Sequence, residues 1–188
     1  MTPIAASFAI WTVWLITWMI AAAWSARTAA RPAFGSSLPH LALTTAGLLL
    51  LFAGGRREAP GLWVLPADVA WVLTSLSGAG AVFAWWARLH LGALWSGTVT
   101  RKSGHHIVDT GPYGLVRHPI YTGLILGAAA VALQAGNVTA ILGALLLAAG
   151  FWVKARLEEG FLSAELGEAY AAYRRRTPML IPFLKRPN

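Results

Sequence analysis

The 188-residue chain has no cysteine, which excludes disulfides, thiolate-held metal and a cysteine nucleophile. Charge is scarce and one-sided. Only 12% of residues are charged, and seven acidic side chains face fifteen Lys and Arg, for a net charge of +8. A soluble domain carries about a quarter charged residues. The first 26 residues hold no charged side chain, so the basic n-region of a signal peptide is missing. No internal repeat or low-complexity tract is present. The basic excess is not arranged as a stripe with interleaved aromatics, so it does not point to nucleic acid.

What the chain has in abundance is apolar surface. Residues of the AVILMFWYC set make up 57%, ten are tryptophan, and the mean hydropathy is +0.59. Indole rings settle at headgroup depth, so ten of them suit a protein with two membrane interfaces. Apolar stretches lie near 5–25, 38–54, 67–87, 120–135 and 138–153. The first and third are long enough to cross a bilayer as helices, and the second is marginal. The last two hold about sixteen residues each, roughly 24 Å of helix, and only Gln134, Ala135, Gly136 and Asn137 separate them. They predict a helical hairpin. The small-residue pairs Gly123/Gly127 and Ala144/Ala148 favour close backbone packing of its arms. The expected fold is all-α: a polytopic membrane protein with five spans and a cytoplasmic C-terminal helix. It forms one membrane domain, with three N-terminal spans in 1–94 and the last two spans with the tail in 95–188.

With the N-terminus outside and five crossings, thirteen cationic residues fall inside. Only Arg56 and Arg57 fall outside. The positive-inside rule then favours N-out, C-in. The two non-spanning segments of the C-terminal half, 88–119 and 154–188, are both cytoplasmic in this arrangement.

The first of these segments ends in GPYGLVRHPIYTG, 111–123. Pro119 suits the first position of a helix, with His118 outside as cap, so the amides of Ile120 and Tyr121 lack intrahelical acceptors. Flanked by Arg117 and His118, that helix start is a seat for a carboxylate or phosphate. The alternative is that Arg117 snorkels to headgroups while His118 merely caps. Upstream, Gly111 and Pro112 break any helix, and Tyr113 offers a ring able to stack on a planar group. His105 and His106, with Asp109 the close carboxylate and no cysteine, do not predict a metal site. The tail, 154–182, has helical composition with breaks expected at Gly160 and Gly167. Lys154 and Glu158 share a helical face, and Glu158 and Glu159 lie just beyond the last span. A short hairpin returns them to the level of 117–121. Cation and carboxylate together suit a zwitterionic, amino-acid-like ligand; a solvated salt-bridged helix is the plainer alternative.

The two linked motifs are H-x-x-x-x-x-G-x-Y-x-x-x-R-H-P-x-Y-x-G from His105 to Gly123 and E-E-x-x-L-x-x-x-x-G-x-x-Y from Glu158 to Tyr170. Together they resemble the isoprenylcysteine carboxyl methyltransferase family, within a broader group that includes phospholipid N-methyltransferases. The resemblance covers about 95–182. It implies an integral membrane methyltransferase that uses S-adenosylmethionine (SAM) in a cytoplasmic pocket made by the last two spans and the tail. By motif it assigns His105, His106, Ile107 and Val108 to the loop against the cofactor and Tyr113 to its aromatic contact. His118, Pro119, Ile120 and Tyr121 become the helix start that holds it, and Glu158 its carboxylate contact. The substrate side falls to Arg117, Lys154, Arg156 and Glu159. Lys154 stands where the family has an arginine, keeping the charge without the planar fork; Arg156 is a substitute one half-turn away. The implied acceptor is amphiphilic or lipid-like, such as an isoprenylcysteine carboxylate. The implied setting is a bacterial inner membrane, with lipids as neighbours. A phospholipid amine or a small molecule such as a thiol is the nearest alternative acceptor. An NADPH-dependent membrane reductase or a non-enzymatic transport or scaffold protein represents other classes.

Overall fold

The computed structural model describes residues 1–22, 28–30, 37–55, 61–92, 101–102 and 107–184. His105, His106, Lys185 and Arg186 lie outside them. Among the described residues six helices occur in chain order: α1 (Pro3–Ala21), α2 (Leu38–Gly55), α3 (Ala67–Leu91), α4 (Pro112–Leu115), α5 (Pro119–Ala135) and α6 (Val138–Arg176). The ends obey local chemistry. Thr2 caps α1 by accepting from the Ala5 amide at 3.3 Å, with Pro3 at the first helical position. Gly136, in the left-handed region, closes α5, and Asn137 opens α6 by accepting from the Ala140 amide at 3.0 Å. The Asn137 amide also donates to the Gly54 carbonyl at 2.9 Å, tying the hairpin turn to the end of α2.

The apolar stretches thus become helices at their expected places. Four of them are long and apolar enough to cross a membrane, and α5, at 17 residues, is shorter. The chain is an all-α integral membrane protein. A small exception among the described residues is a two-stranded antiparallel ribbon, Thr28–Ala30 with Arg101–Lys102, which ties the α1–α2 connection to the segment after α3. α6 runs far past its apolar first part. Its 39 residues would extend roughly 58 Å as straight helix, but Gly167 (φ 53°, ψ −129°) kinks it. Gly160 stays helical, so only one of the two expected breaks occurs.

The expected hairpin packing needs correction. Gly123 and Gly127 do not seat α5 against α6. A methyl on Gly123 would meet the Gly80 carbonyl and Ala84 of α3, and one on Gly127 would meet Trp11 of α1. α6 forms its glycine-lined seam with α2, while also packing against α5. The antiparallel contacts step Gly54 with Ala140, Leu51 with Gly143, Gly47 with Leu147, and Thr44 with Gly150. A single residue spacing therefore holds along the whole α2–α6 seam, with glycines letting backbone meet backbone. At the hairpin end a polar knot replaces apolar packing. Gln134 donates to Thr74 Oγ1 at 2.8 Å and the Ala70 carbonyl at 2.9 Å, and accepts from Ser7 Oγ at 2.9 Å, joining α1, α3 and α5.

Candidate functional site

At the opposite end of the bundle, the start of α5 meets α6 just beyond its apolar part. His118 occupies the N-cap position, but its side chain makes no capping bond. The first intrahelical bond of α5 runs from Thr122 N to the His118 carbonyl, at 3.0 Å. The imidazole turns toward α6, where Nδ1 lies 3.4 Å from Glu158 Oε2 and Nε2 lies 3.4 Å from Glu159 Oε1. Tyr121, one turn into α5, donates its hydroxyl to Glu158 Oε1 at 2.6 Å. Its ring stacks between His118 (5.5 Å) and Phe151 (5.2 Å), and Lys154 Nζ lies 5.3 Å from its centroid. Glu158 is therefore held by a phenol, an imidazole and a neighbouring cation, while 19% of its side chain stays exposed.

Arg117 does not snorkel. It is buried, and its Nε and Nη2 reach Glu159 Oε1 at 2.7 and 2.6 Å. Nη1 donates to the Arg174 carbonyl at 3.1 Å and to the Thr177 carbonyl. Glu159 is equally buried, with Arg174 Nε 3.6 Å from its second oxygen. The backbone completes the clasp. Arg117 N donates to the Pro178 carbonyl at 2.8 Å, His118 N to Met179 at 3.1 Å, and Thr122 Oγ1 to Leu180 at 2.7 Å. The segment 177–180 thus straps the start of α5 from below, and Met179 and Leu180 pack against Tyr113, Ile120 and Tyr121.

The electrostatics follow from this pairing. Burial pushes the Glu158 carboxyl up, but His118, Lys154 and the Tyr121 hydroxyl outweigh it and hold the group below the usual carboxylate range. Burial acts the same way on Glu159, and the hydrogen-bonded His118 and Arg117 bring it down to about 2. Burial alone would lower His118; the two carboxylates reverse that, so its imidazolium is favoured. The phenols of Tyr113, Tyr170 and Tyr173 are pushed up by burial and stay protonated.

Most of the residues singled out in the sequence converge here. Arg117, His118, Tyr121, Lys154, Glu158 and Glu159 are in direct contact, and Pro119 and Ile120 are buried beneath them. Tyr113 is buried in the same cluster, its carbonyl accepting from Tyr173 at 2.7 Å and its ring 6.4 Å from His90. Val108 packs at the edge of that cluster, and Ile107 is half-buried. Arg156 does not join; it is exposed and lies over Trp152, 5.9 Å from the ring. Thr122, Phe151, Tyr173, Arg174 and the strap 177–180 were not anticipated. The spacing of Tyr170 and Tyr173, one turn apart beyond the kink, is the signal that marks this part of the tail as packed. Among the described residues no group of three or more His, Asp or Glu is placed to hold a metal ion.

A family model described as "Isoprenylcysteine carboxyl methyltransferase (ICMT) family" matches residues 71–164, half of the chain. The chain belongs to the ICMT family. That match takes in α3 through the Glu158–Glu159 pair, so the central contacts of the site lie within the ICMT homology, while the strap lies beyond it. Among similar curated proteins is methanethiol S-methyltransferase 2 of Bradyrhizobium diazoefficiens, 33% identical over 77% of this chain and 59% of its own. The protein-S-isoprenylcysteine O-methyltransferase of Schizosaccharomyces pombe is 34% identical over 45% of this chain and 36% of its own. The cobalt-zinc-cadmium resistance protein CzcN of Cupriavidus metallidurans is 34% identical over 72% and 57%. The chain therefore spans less than two thirds of the length of each of these relatives.

Proposed function

We propose that this ICMT-family chain is a SAM-dependent methyltransferase that binds its cofactor at the start of α5 and methylates an acceptor delivered through the membrane. The observation that carries the reading is Glu158: a carboxylate held ionised by Tyr121 and His118, still partly exposed, at the cationic border of a membrane bundle. SAM carries a sulfonium, an ammonium and a carboxylate. The residues fit such a ligand. Each carboxylate oxygen accepts more than one hydrogen bond, so Glu158 retains capacity for a cation after pairing with Tyr121. The amides of Ile120 and Tyr121 precede the first intrahelical bond of α5, leaving donors for an anion. His118 Nε2 faces Glu159 Oε1 at 3.4 Å, which keeps a cationic imidazole at the same level.

When bound, the sulfonium supplies an electrophilic methyl group. The chain's own residues then bind, orient and exclude water. Glu158 and His118 fix the cofactor's charged end, and Tyr121 fixes Glu158. The Arg117–Glu159 clasp fixes the α5–α6 junction on which both stand. Orientation and desolvation of this kind supply much of the rate in group transfer. The cationic side of the bundle faces the cytoplasm in this reading, with the N-terminus outside, in a bacterial inner membrane.

The relatives' printed names cover an isoprenylcysteine carboxylate and a small thiol as acceptors, both compatible with a site opening beside apolar helices. The test is direct. The purified protein in lipid nanodiscs is given methyl-labelled SAM with an isoprenylcysteine analogue or a series of alkanethiols. Label should enter at least one acceptor. Absence of transfer to every acceptor, with SAM present at millimolar concentration, would overturn the reading.

A further inference from the structure

The tail carries an apolar patch that the site does not use. Ile181, Phe183 and Leu184 are 60%, 90% and 62% exposed and lie outside every membrane span. Phe183 is the one non-glycine residue with positive φ (64°) among the described residues. A bulky side chain enters that region only under constraint, and here the result is an aromatic ring aimed away from the protein. The patch has a defined depth. Thr122 Oγ1, in the first turn of α5, donates to the Leu180 carbonyl at 2.7 Å, so Ile181 leaves the protein level with the start of an apolar helix. Four further residues reach at most about 14 Å, which keeps 181–184 at the bilayer border. The charge around the patch is of one sign. From 168 to 188 the sequence holds Arg174, Arg175, Arg176, Lys185 and Arg186 against Glu168 alone. Arg174 turns inward to Glu159, whereas the Arg175 and Arg176 side chains are each 65% exposed, in surface pairs with Glu168 and Asp109. Exposed pairs of that kind are weak and leave their cations open to a stronger field.

We propose that Ile181, Phe183 and Leu184, with the cations before and after them, dock on an anionic phospholipid leaflet and so seat the strap 177–180 under α5. Both halves of the patch select that occupant. Exposed Ile, Phe and Leu enter the boundary of headgroups and acyl chains, where they leave water without needing a protein pocket. The cations stay among the headgroups, and an anionic leaflet favours each of them by roughly fivefold in binding. A neutral leaflet receives the apolar half alone. The link to the strap is short. The Pro178, Met179 and Leu180 carbonyls accept from Arg117 N, His118 N and Thr122 Oγ1, so a tail held from Ile181 onward holds those three bonds closed. Anionic lipid thereby orders the start of α5 from outside the bundle. The inference goes beyond the methyl-transfer reading, and no part of its test depends on that reading.

The chain has no cysteine, so Leu184→Cys offers a single position for an environment-sensitive dye and leaves Ile181 and Phe183 in place. The full chain is reconstituted in nanodiscs of phosphatidylcholine alone or mixed with phosphatidylglycerol. In the mixed discs the dye should emit as in an apolar setting and be quenched by nitroxide-headgroup lipid. In neutral discs, and in mixed discs at high salt, it should return toward its emission in water. Combining Arg175→Gln, Lys185→Gln and Arg186→Gln should move the docked-to-free balance about a hundredfold toward free. Ile181→Ser with Phe183→Ser should abolish docking. Phosphatidylglycerol should also slow hydrogen exchange at the Arg117 and His118 amides by about fivefold or more in the otherwise unchanged chain, and not in the double serine variant. A dye that stays in water in both lipids, or docks equally in both, would overturn the assignment. Apolar emission that follows the number of chains per disc instead of phosphatidylglycerol would give the patch to a second copy and overturn it as well. Lipid-dependent docking with unchanged exchange at Arg117 and His118 would overturn the seating of the strap.

Discussion

Glu159→Gln probes the junction on which the proposed site stands. The substitution keeps shape and removes one charge from a carboxylate buried against Arg117. Removing one partner of a buried ion pair costs about 3–5 kcal/mol, because the other charge is left without compensation. Arg117 keeps two carbonyl acceptors, from Arg174 and Thr177, which places the cost at the lower end. The lowered Glu159 carboxyl, at about 2 against an ordinary 4.5, has the same sign: His118 and Arg117 favour its ionised form. The expected loss is therefore about 3 kcal/mol. Because the folded value is the lower one, this stability is present above about pH 4.5 and is lost as pH falls toward about 2. The assay is reversible unfolding in mixed micelles at several pH values, for Glu159→Gln, Arg117→Met and the double variant. The double variant should recover at least half of the single losses, since neither charge is left alone. A Glu159→Gln protein within 0.5 kcal/mol of its parent near pH 7, or one with an unchanged acid limb, would refute the reasoning (the 0.5 kcal/mol bound being roughly the scatter of surface substitutions).

Gly143→Ala should destabilise by about 1–3 kcal/mol, because its methyl would meet the Leu51 amide and the Gly47 carbonyl, both backbone; the same unfolding assay reads it. Tyr121→Phe should weaken SAM binding by about tenfold by removing the hydroxyl that donates to Glu158, measured by calorimetry with stability unchanged within about 1 kcal/mol. A reporter fused after Arg57 should be extracytoplasmic and one after Lys102 cytoplasmic, as the uneven distribution of Lys and Arg requires; reversed activities would place the site away from cytoplasmic SAM. The His118 contribution to stability should be complete below pH 6.5 and fade as pH rises through its higher folded value, visible as an alkaline slope missing from His118→Gln.

Hydropathy alone placed all five apolar helices, and Pro119, Gly136 and Asn137 marked their ends by backbone chemistry that any reader of the chain can apply. The meeting of Lys154, Glu158 and the RHP segment was legible because the short hairpin leaves little freedom in where α6 emerges. Helix partners were not legible. A GxxxG pair announces close approach but not to whom, and Gly123 and Gly127 turned to α3 and α1. Arg117 could face headgroups or protein on sequence grounds; Glu159, a hundred degrees around α6 from Glu158, decided it.

The central claim is that Glu158 anchors SAM, and binding tests it without reference to any acceptor. SAM is titrated into the wild type, Glu158→Ala and Glu168→Ala in nanodiscs. Glu168 serves as control because its side chain is 80% exposed and pairs with Arg175, itself exposed. SAM at a hundredfold its dissociation constant should stabilise the wild type by about 2.7 kcal/mol. Glu158→Ala should lose about 1.5–3 kcal/mol of binding, the worth of a charge-assisted hydrogen bond, while Glu168→Ala binds like the wild type. A wild type that ignores millimolar SAM, or a Glu158→Ala protein that binds it unchanged, would contradict the account.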